Sequence, residues 1–304
     1  MKSYDLTISQ KRAVRTDPSC HGWCYGLPPG ISSAQWPLDP ANGYPLQHGF
    51  TLLLPEEYRC HGPDVVAFSF FASSIDHNDG GPTVKAPGIR PAMGGAEAPD
   101  NPELKLFWEA EQRAHPRLSR MEDGLGIAYA VIMLTRAEFD GPFCAPPILI
   151  ANRYRDALEP PAWLTIGGAA SYWQFGSSYR WVRDTFGEKP ANDPIENRAI
   201  HWTPRACDPN AGRIPYDKFL HDPTDYVHPE CTITEEDGKT VFHDPEWTRD
   251  HKPNHIGGTM RPSQWVTQAS IYYIEFEEYF GGFNFGGGNA QLDFKNMIFD
   301  WSCG

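Results

Sequence analysis

The densest set of chemistry-bearing side chains in the chain is Asp76-His77-Asn78-Asp79, followed at once by Gly80-Gly81. An imidazole flanked by carboxylates has the composition of a general base tuned by its neighbours, with Asp76, His77 and Asp79 as the groups of a hydrolase-type site. Asp and Asn also cap and turn a chain where a strand ends, so the same residues serve equally as punctuation. Metal chemistry has three candidate ligand sets. Cys20, His21 and Cys24 with Cys60 and His61 offer the thiolates and imidazoles that zinc selects, although their spacing is unlike that of a zinc knuckle. His221, Asp222, His228 and Cys231 make a second set, and His243, Asp244, His251 and His255 a third. A catalytic metal would need three such ligands to converge around an open position. Asp208-Pro209-Asn210-Ala211-Gly212 echoes a calcium loop but lacks its third acidic ligand and its closing Glu. The expectation is no metal and no cofactor, with buried free thiols and surface histidines instead.

Other chemistries leave no mark. The chain has no Gly-x-Ser-x-Gly elbow, no His-Glu-x-x-His, no Walker A motif and no dinucleotide fingerprint. Gly281 to Gly288, GGFNFGGG, is not followed by the Lys-Ser/Thr and helix start that a phosphate loop needs, so tight turns or a bulge around Phe283 and Phe285 account for its glycines.

These groups must be positioned by a fold made mostly of strands. Gly 28 and Pro 29 together make 57 of 304 residues, about 19%, which favours many turns over long helices. Strands are expected at Phe50–Leu54, Val65–Ala72, Gly126–Thr135, Pro147–Ala151, Ser178–Val182, Cys231–Thr234, Thr240–His243, Ala269–Phe276 and Ala290–Phe299, mostly short and rich in aromatic or β-branched residues. Asp237-Gly238 reads as a hairpin turn with Thr232 and Thr234 opposite Thr240 and Phe242. One principal helix is expected near 101–115: Asp100 or Asn101 caps it, Pro102 suits its first turn, and Leu104, Phe107, Trp108 and Glu111 follow helical spacing to Pro116. A shorter helix is expected after Tyr216. His77–Pro99 and Glu188–Pro215 read as long loops. The fold class is therefore α+β, predominantly antiparallel sheet with long ordered loops and few helices, as a single domain over 1–304 or as two similar subdomains of about 1–160 and 161–304.

Gly26 to Pro55, GLPPGISSAQWPLDPANGYPLQHGFTLLLP, is a proline-stapled loop feeding an apolar strand. Its Gly-Leu-Pro, its Trp36-Pro37 and its Gly43-x-Pro45-Leu46 resemble the opening of the YwqG-like (DUF1963) family. Ile166-Gly167-Gly168 ahead of Trp173-Gln174, Ile256-Gly257-Gly258 ahead of Trp265, and the terminal stretch from Phe285-Gly286-Gly287-Gly288-Asn289 to Asp300-Trp301 are similar to later elements of that family. The pattern departs where Leu54-Pro55-Glu56-Glu57 replaces a Gln-Ile-Asn-like element and where Asn289 stands for an Asp. The resemblance supplies no catalytic residues. It implies an accessory or immunity protein of the antitoxin type, encoded beside bacterial toxins.

Charge agrees with a protein partner. Lys and Arg number 26 against 39 Asp and Glu, a formal net charge of −13, which disfavours binding nucleic acid through its phosphates. Asp222 to Asp250 carries nine acids against Lys239 and Arg249. Glu235, Glu236, Asp237, Asp244 and Glu246, with Glu275, Glu277 and Glu278 nearer the C-terminus, form a candidate docking face for a basic partner such as a toxin domain; the alternative is a solvated acidic surface. Seven scattered cysteines, a start without an apolar signal-like run, and no stretch near the about 18 apolar residues of a membrane span point to the cytoplasm and away from membranes.

Overall fold

The computed structural model describes residues 1–78, 85–168, 171, 197–217, 225–229, 232–236 and 238–304. Thirteen strands are found among them: β1 (Tyr4–Arg12), β2 (Gly22–Cys24), β3 (Gln47–Leu53), β4 (Val65–Ala72), β5 (Leu118–Glu122), β6 (Ala128–Thr135), β7 (Arg198–Pro204), β8 (Thr232–Glu236), β9 (Lys239–His243), β10 (His255–Ile256), β11 (Tyr273–Glu277), β12 (Asn289–Asp293) and β13 (Ile298–Ser302). Five short α-helices accompany them: α1 (Ile75–Asn78), α2 (Ile89–Gly94), α3 (Pro102–Gln112), α4 (Arg136–Phe139) and α5 (Trp163–Ile166). The fold is α+β and mostly antiparallel sheet. No helix among the described residues is long and apolar enough to cross a membrane.

Eleven strands form one sheet in the order β13-β12-β11-β10-β1-β7-β2-β3-β4-β6-β5, and β8-β9 stand apart as a two-stranded ribbon. The large sheet curls until its ends meet. Across the seam Trp301 of β13 donates its indole N–H to Asp123, just past β5, at 2.6 Å, and the rings of Phe299 and Tyr129 lie 4.0 Å apart. Because β7 lies between β1 and β2, the sheet interleaves strands from both sides of residue 160. The two Ile-Gly-Gly elements occupy unlike settings, one ending α5 and the other leaving β10.

Strand alternation sends Phe50, Leu52, Phe68, Phe70, Tyr129, Val131, Ile256, Ile274, Phe276, Leu292 and Phe299 into one interior cluster. The opposite face of β4 and β6 is covered as well, which is why VVAFSFFA and AYAVIMLT read as unbroken apolar runs. Its cover is the proline loop. Trp36 packs edge-on against Phe71, stacks on Trp163 at 5.6 Å and donates to the Leu46 carbonyl. The prolines and Trp36 are scaffold.

The glycine-rich segment after β11 turns back into the barrel. Phe280, Phe283 and Phe285 are buried among Phe50, Phe70 and Phe276. A Cβ on Gly49 would lie 2.0 Å from the Phe283 ring, and one on Gly281, at φ 114, would lie 2.5 Å from the same ring and 3.1 Å from the Gly49 Cα. Gln47 donates to the carbonyls of Gly281 and Gly282. These glycines are turn and contact residues.

The structure corrects several expected elements. Pro147–Ala151 joins no ladder: Pro146 and Pro147 lack donors, and Ile148 is 93% exposed. Ala290–Phe299 divides into β12 and β13, because Asp293 accepts from the amides of Lys295 and Asn296 and Met297 turns through φ 54. The β8-β9 register is one residue away from that expected, with Thr234 opposite Val241 and Glu236 opposite Lys239 around a two-residue turn. The expected helix near 101–115 is α3, with the Asn101 side chain accepting from the amides of Glu103 and Leu104. Ser178–Val182 and most of the segment after Tyr216 lie outside the described residues.

Two predictions follow from this packing. Gly49→Ala should destabilise by about 1–3 kcal/mol or more through overpacking against Phe283, and Phe283→Leu in the same chain should recover part of the loss in urea denaturation. The second concerns acid. Burial drives His48 down to about 3 and His21 to about 4, whereas an unfolded chain protonates histidine near 6.5. A proton taken up first by the unfolded state means stability is full above about pH 6.5 and is lost as pH falls towards 3. His48→Gln should flatten the decline of melting temperature in that window; an unchanged slope would count against the buried neutral imidazole.

Candidate functional site

Asp76 and His77 lie in α1, just beyond β4, and both are committed to holding the chain. Asp76 accepts from the Ser74 hydroxyl and, at 2.7 Å, from the Ala162 amide. His77 is buried, donates Nε2 to the Glu159 carbonyl at 3.0 Å and meets the edge of Tyr44, whose hydroxyl donates to the Leu158 carbonyl. Together they clamp the 158–162 segment onto the sheet. Asp79 lies outside the described residues.

The expected metal sets separate. Cys24 faces the barrel interior, His21 stacks on Trp202 at 3.7 Å, and His61 donates to the Phe294 carbonyl. His243 reaches Glu236, Asp244 pairs with Arg261, and His255 pairs with Glu275. Among the described residues no three His, Cys, Asp or Glu side chains gather as ligands. His221, Asp222 and Cys231 lie outside the described residues. Asp208 is a structural knot: it accepts from Asn210 N, Thr259 N and Oγ1, Ser3 Oγ and Arg205 Nη1. Burial would raise its pKa, but the Thr259 hydroxyl, the two amides and Arg205 outweigh that and hold it low.

The candidate acids divide into two groups. Glu235, Glu236, Asp244 and Glu246 are exposed on or beside the β8-β9 ribbon. Asp237 lies outside the described residues. Ile233, 60% exposed, stands among them. The ribbon is tethered at its exit, where Arg261 Nη2 meets Asp244 Oδ2 at 2.6 Å. Glu275 and Glu278 are buried, at 1% and 2% exposure, and Glu277 is half-buried, so the first two are unavailable to an exposed docking face. Glu278 uses its carboxylate to accept the amides of Phe285 and Gly287, pinning the aromatic plug.

Glu275 belongs to a polar row on the outer face of the sheet. Register places Asp5, His255, Glu275, Gln291 and Asp300 side by side across β1, β10, β11, β12 and β13. Glu275 receives His255 Nε2 at 3.2 Å, the Arg261 amide at 3.0 Å on each oxygen, and Gln291 Nε2 at 3.2 Å. Thr267 caps Gln291 from the overlying loop. Beside this row, at the foot of the ribbon, a cleft of about 330 Å³ is lined by His251, Lys252, Arg261, Glu275, Glu277 and the Gly287-Gly288-Asn289 backbone among others. The alternation Ile274-Glu275-Phe276-Glu277 was the sequence signal for outward carboxylates; the strands that pair beside them were not readable.

A second cleft, about 320 Å³, lies between α2, α3 and β5, and its charged walls are closed on one another as Arg120–Glu111 and Arg90–Glu122 pairs. Set against family models, curated proteins and solved structures, the chain matches none.

Removing a carboxylate that accepts from three donors, the His255 ring, the Arg261 amide and the Gln291 side chain, leaves them unpaired, so Glu275→Ala should cost about 3–5 kcal/mol. Glu235→Ala and Glu236→Ala should change stability by no more than about 0.5 kcal/mol. Chemical denaturation of the three variants separates structural from surface acids; equal losses would contradict the division.

Proposed function

We propose that this chain is a non-catalytic protein-binding module that engages a basic partner through the β8-β9 ribbon. The observation that carries the reading is that among the described residues this ribbon pairs only with itself while presenting Glu235, Glu236 and Ile233 to solvent. Two-stranded ribbons are marginal alone, and an exposed apolar side chain on a strand that also carries exposed acids is the surface a partner's apolar contact and basic rim would complete. Arg261 tethers the ribbon at Asp244, which limits the ordering that binding would cost. The resemblance to YwqG-like sequences adds a biological setting to this reading. In that setting the protein is an immunity protein of the antitoxin type in the cytoplasm, and its acidic face occludes the basic cleft of a toxin. Charge complementarity then speeds association more than it tightens the complex.

The test begins with affinity capture from the native host, followed by kinetics with the purified captured protein. A basic partner is expected, with an association rate that falls steeply with salt and drops about tenfold or more for the Glu235→Lys, Glu236→Lys double variant. Capture of nothing, or of a protein whose binding is indifferent to salt and to the charge reversal, sinks the proposal.

A further inference from the structure

The cleft at the foot of the ribbon is bordered by an exposed lysine and a half-buried glutamate. Lys252 and Glu277 both line it, yet among the described residues neither forms an ion pair. Glu277 is held by the Tyr279 hydroxyl, while burial and the neighbouring Glu275 and Glu278 push its pKa up. A half-buried carboxylate among other carboxylates gains from a cation brought to it. The other charged groups of the wall are already engaged, Glu275 by His255, Gln291 and the Arg261 amide, and the Arg261 guanidinium by Asp244. The ring nitrogens of His251 are shielded from solvent and make no hydrogen bond of ordinary geometry beyond a looser interaction with the Ala206 backbone. Desolvation lowers the pKa of that imidazole, which favours its neutral form. Gly287, at φ 82, has open space where a side chain would start.

We propose that this cleft is a binding site for a small zwitterion of the α-amino-acid type, its carboxylate on Lys252 and its ammonium on Glu277. The volume of about 330 Å³ lies at the small end of ligand pockets, fitting a metabolite of that size. A ligand with a single charge would leave one of the two wall charges unanswered, and a zwitterion answers both. The inference goes beyond the protein-binding reading and does not depend on it.

The experiment is calorimetric titration of the full chain, without any partner, using each standard amino acid at millimolar concentration. At least one is expected to bind with unit stoichiometry. Its amide, which lacks the carboxylate, and its N-acetyl derivative, which lacks the ammonium, should each bind about tenfold more weakly or worse, as should the original amino acid to Glu277→Gln and Lys252→Met chains. The blocked analogues probe the unaltered chain, so the proposal stays testable if a variant fails to fold. Binding by no amino acid overturns it, and so does binding that survives either blocking group or either substitution.

Discussion

The architecture turns on one close approach, the Phe283 ring lying over the Cα of Gly49. A Cβ at 49 would hold that ring out of the barrel, and without the ring the faces of Phe70 and Phe276 would border a void. Cavities lined by aromatic side chains cost several kcal/mol, so the segment from Phe280 to Phe285 is driven inward as soon as the strands that receive it are in place. Glu278 makes the inward course affordable for the backbone by accepting the amide of the buried Phe285, which would otherwise go unpaired, together with that of Gly287. One glycine on β3 and one carboxylate after β11 thus decide that the interior is packing. Ligands and partners must be met outside.

The outer face divides accordingly. Over β4 and β6 it is apolar and sealed by the proline loop, with Trp36 as the principal wedge and Asp39 bonding Ala41 N and Ser73 Oγ to fix the loop's turn. Over β10 to β13 it is polar, and the row from His255 through Glu275 and Gln291 is satisfied by its own neighbours and by the loop above. Buried polar networks of this kind contribute little net energy but penalise any other register, since a one-residue slip would turn Ile274 and Phe276 outward and Glu275 inward. The short β10, only two residues long, gains its place through this row more than through its ladder.

Much of this was legible, and the reasons for the rest are local. Long apolar runs marked β4 and β6, and the Asn101-Pro102 start marked α3, because caps and burial are written in adjacent residues. β1 was missed although Tyr4, Leu6 and Ile8 alternate: its other positions are polar and the strand gains its stability from β7 and β10, some two hundred residues away. The Asp76-His77 pair reads two ways in the sequence for the complementary reason. A His between carboxylates looks the same whether its nitrogens face a substrate or a carbonyl, and here the acceptor is Glu159, 82 residues on. Glu275 and Glu278 were read with the exposed acids because charge is visible in a sequence and burial is not. Their partners, the amides of Arg261, Phe285 and Gly287, are main-chain groups that every sequence contains.

What remains exposed is a ribbon that joins no other strand among the described residues. Its strands carry threonines and charges on both faces, so burial contributes little, and cross-strand contacts such as Thr234 with His243 and Thr240 with Glu235 are worth only fractions of a kcal/mol each. The Arg261–Asp244 pair ties the exit of the ribbon to the loop that roofs the polar row, and Arg261 is the same residue whose amide caps Glu275. Backbone and side chain of a single arginine therefore join the polar row of the sheet to the ribbon. Arg261 lines the cleft as well, so the tether of the ribbon and the cleft wall share one residue.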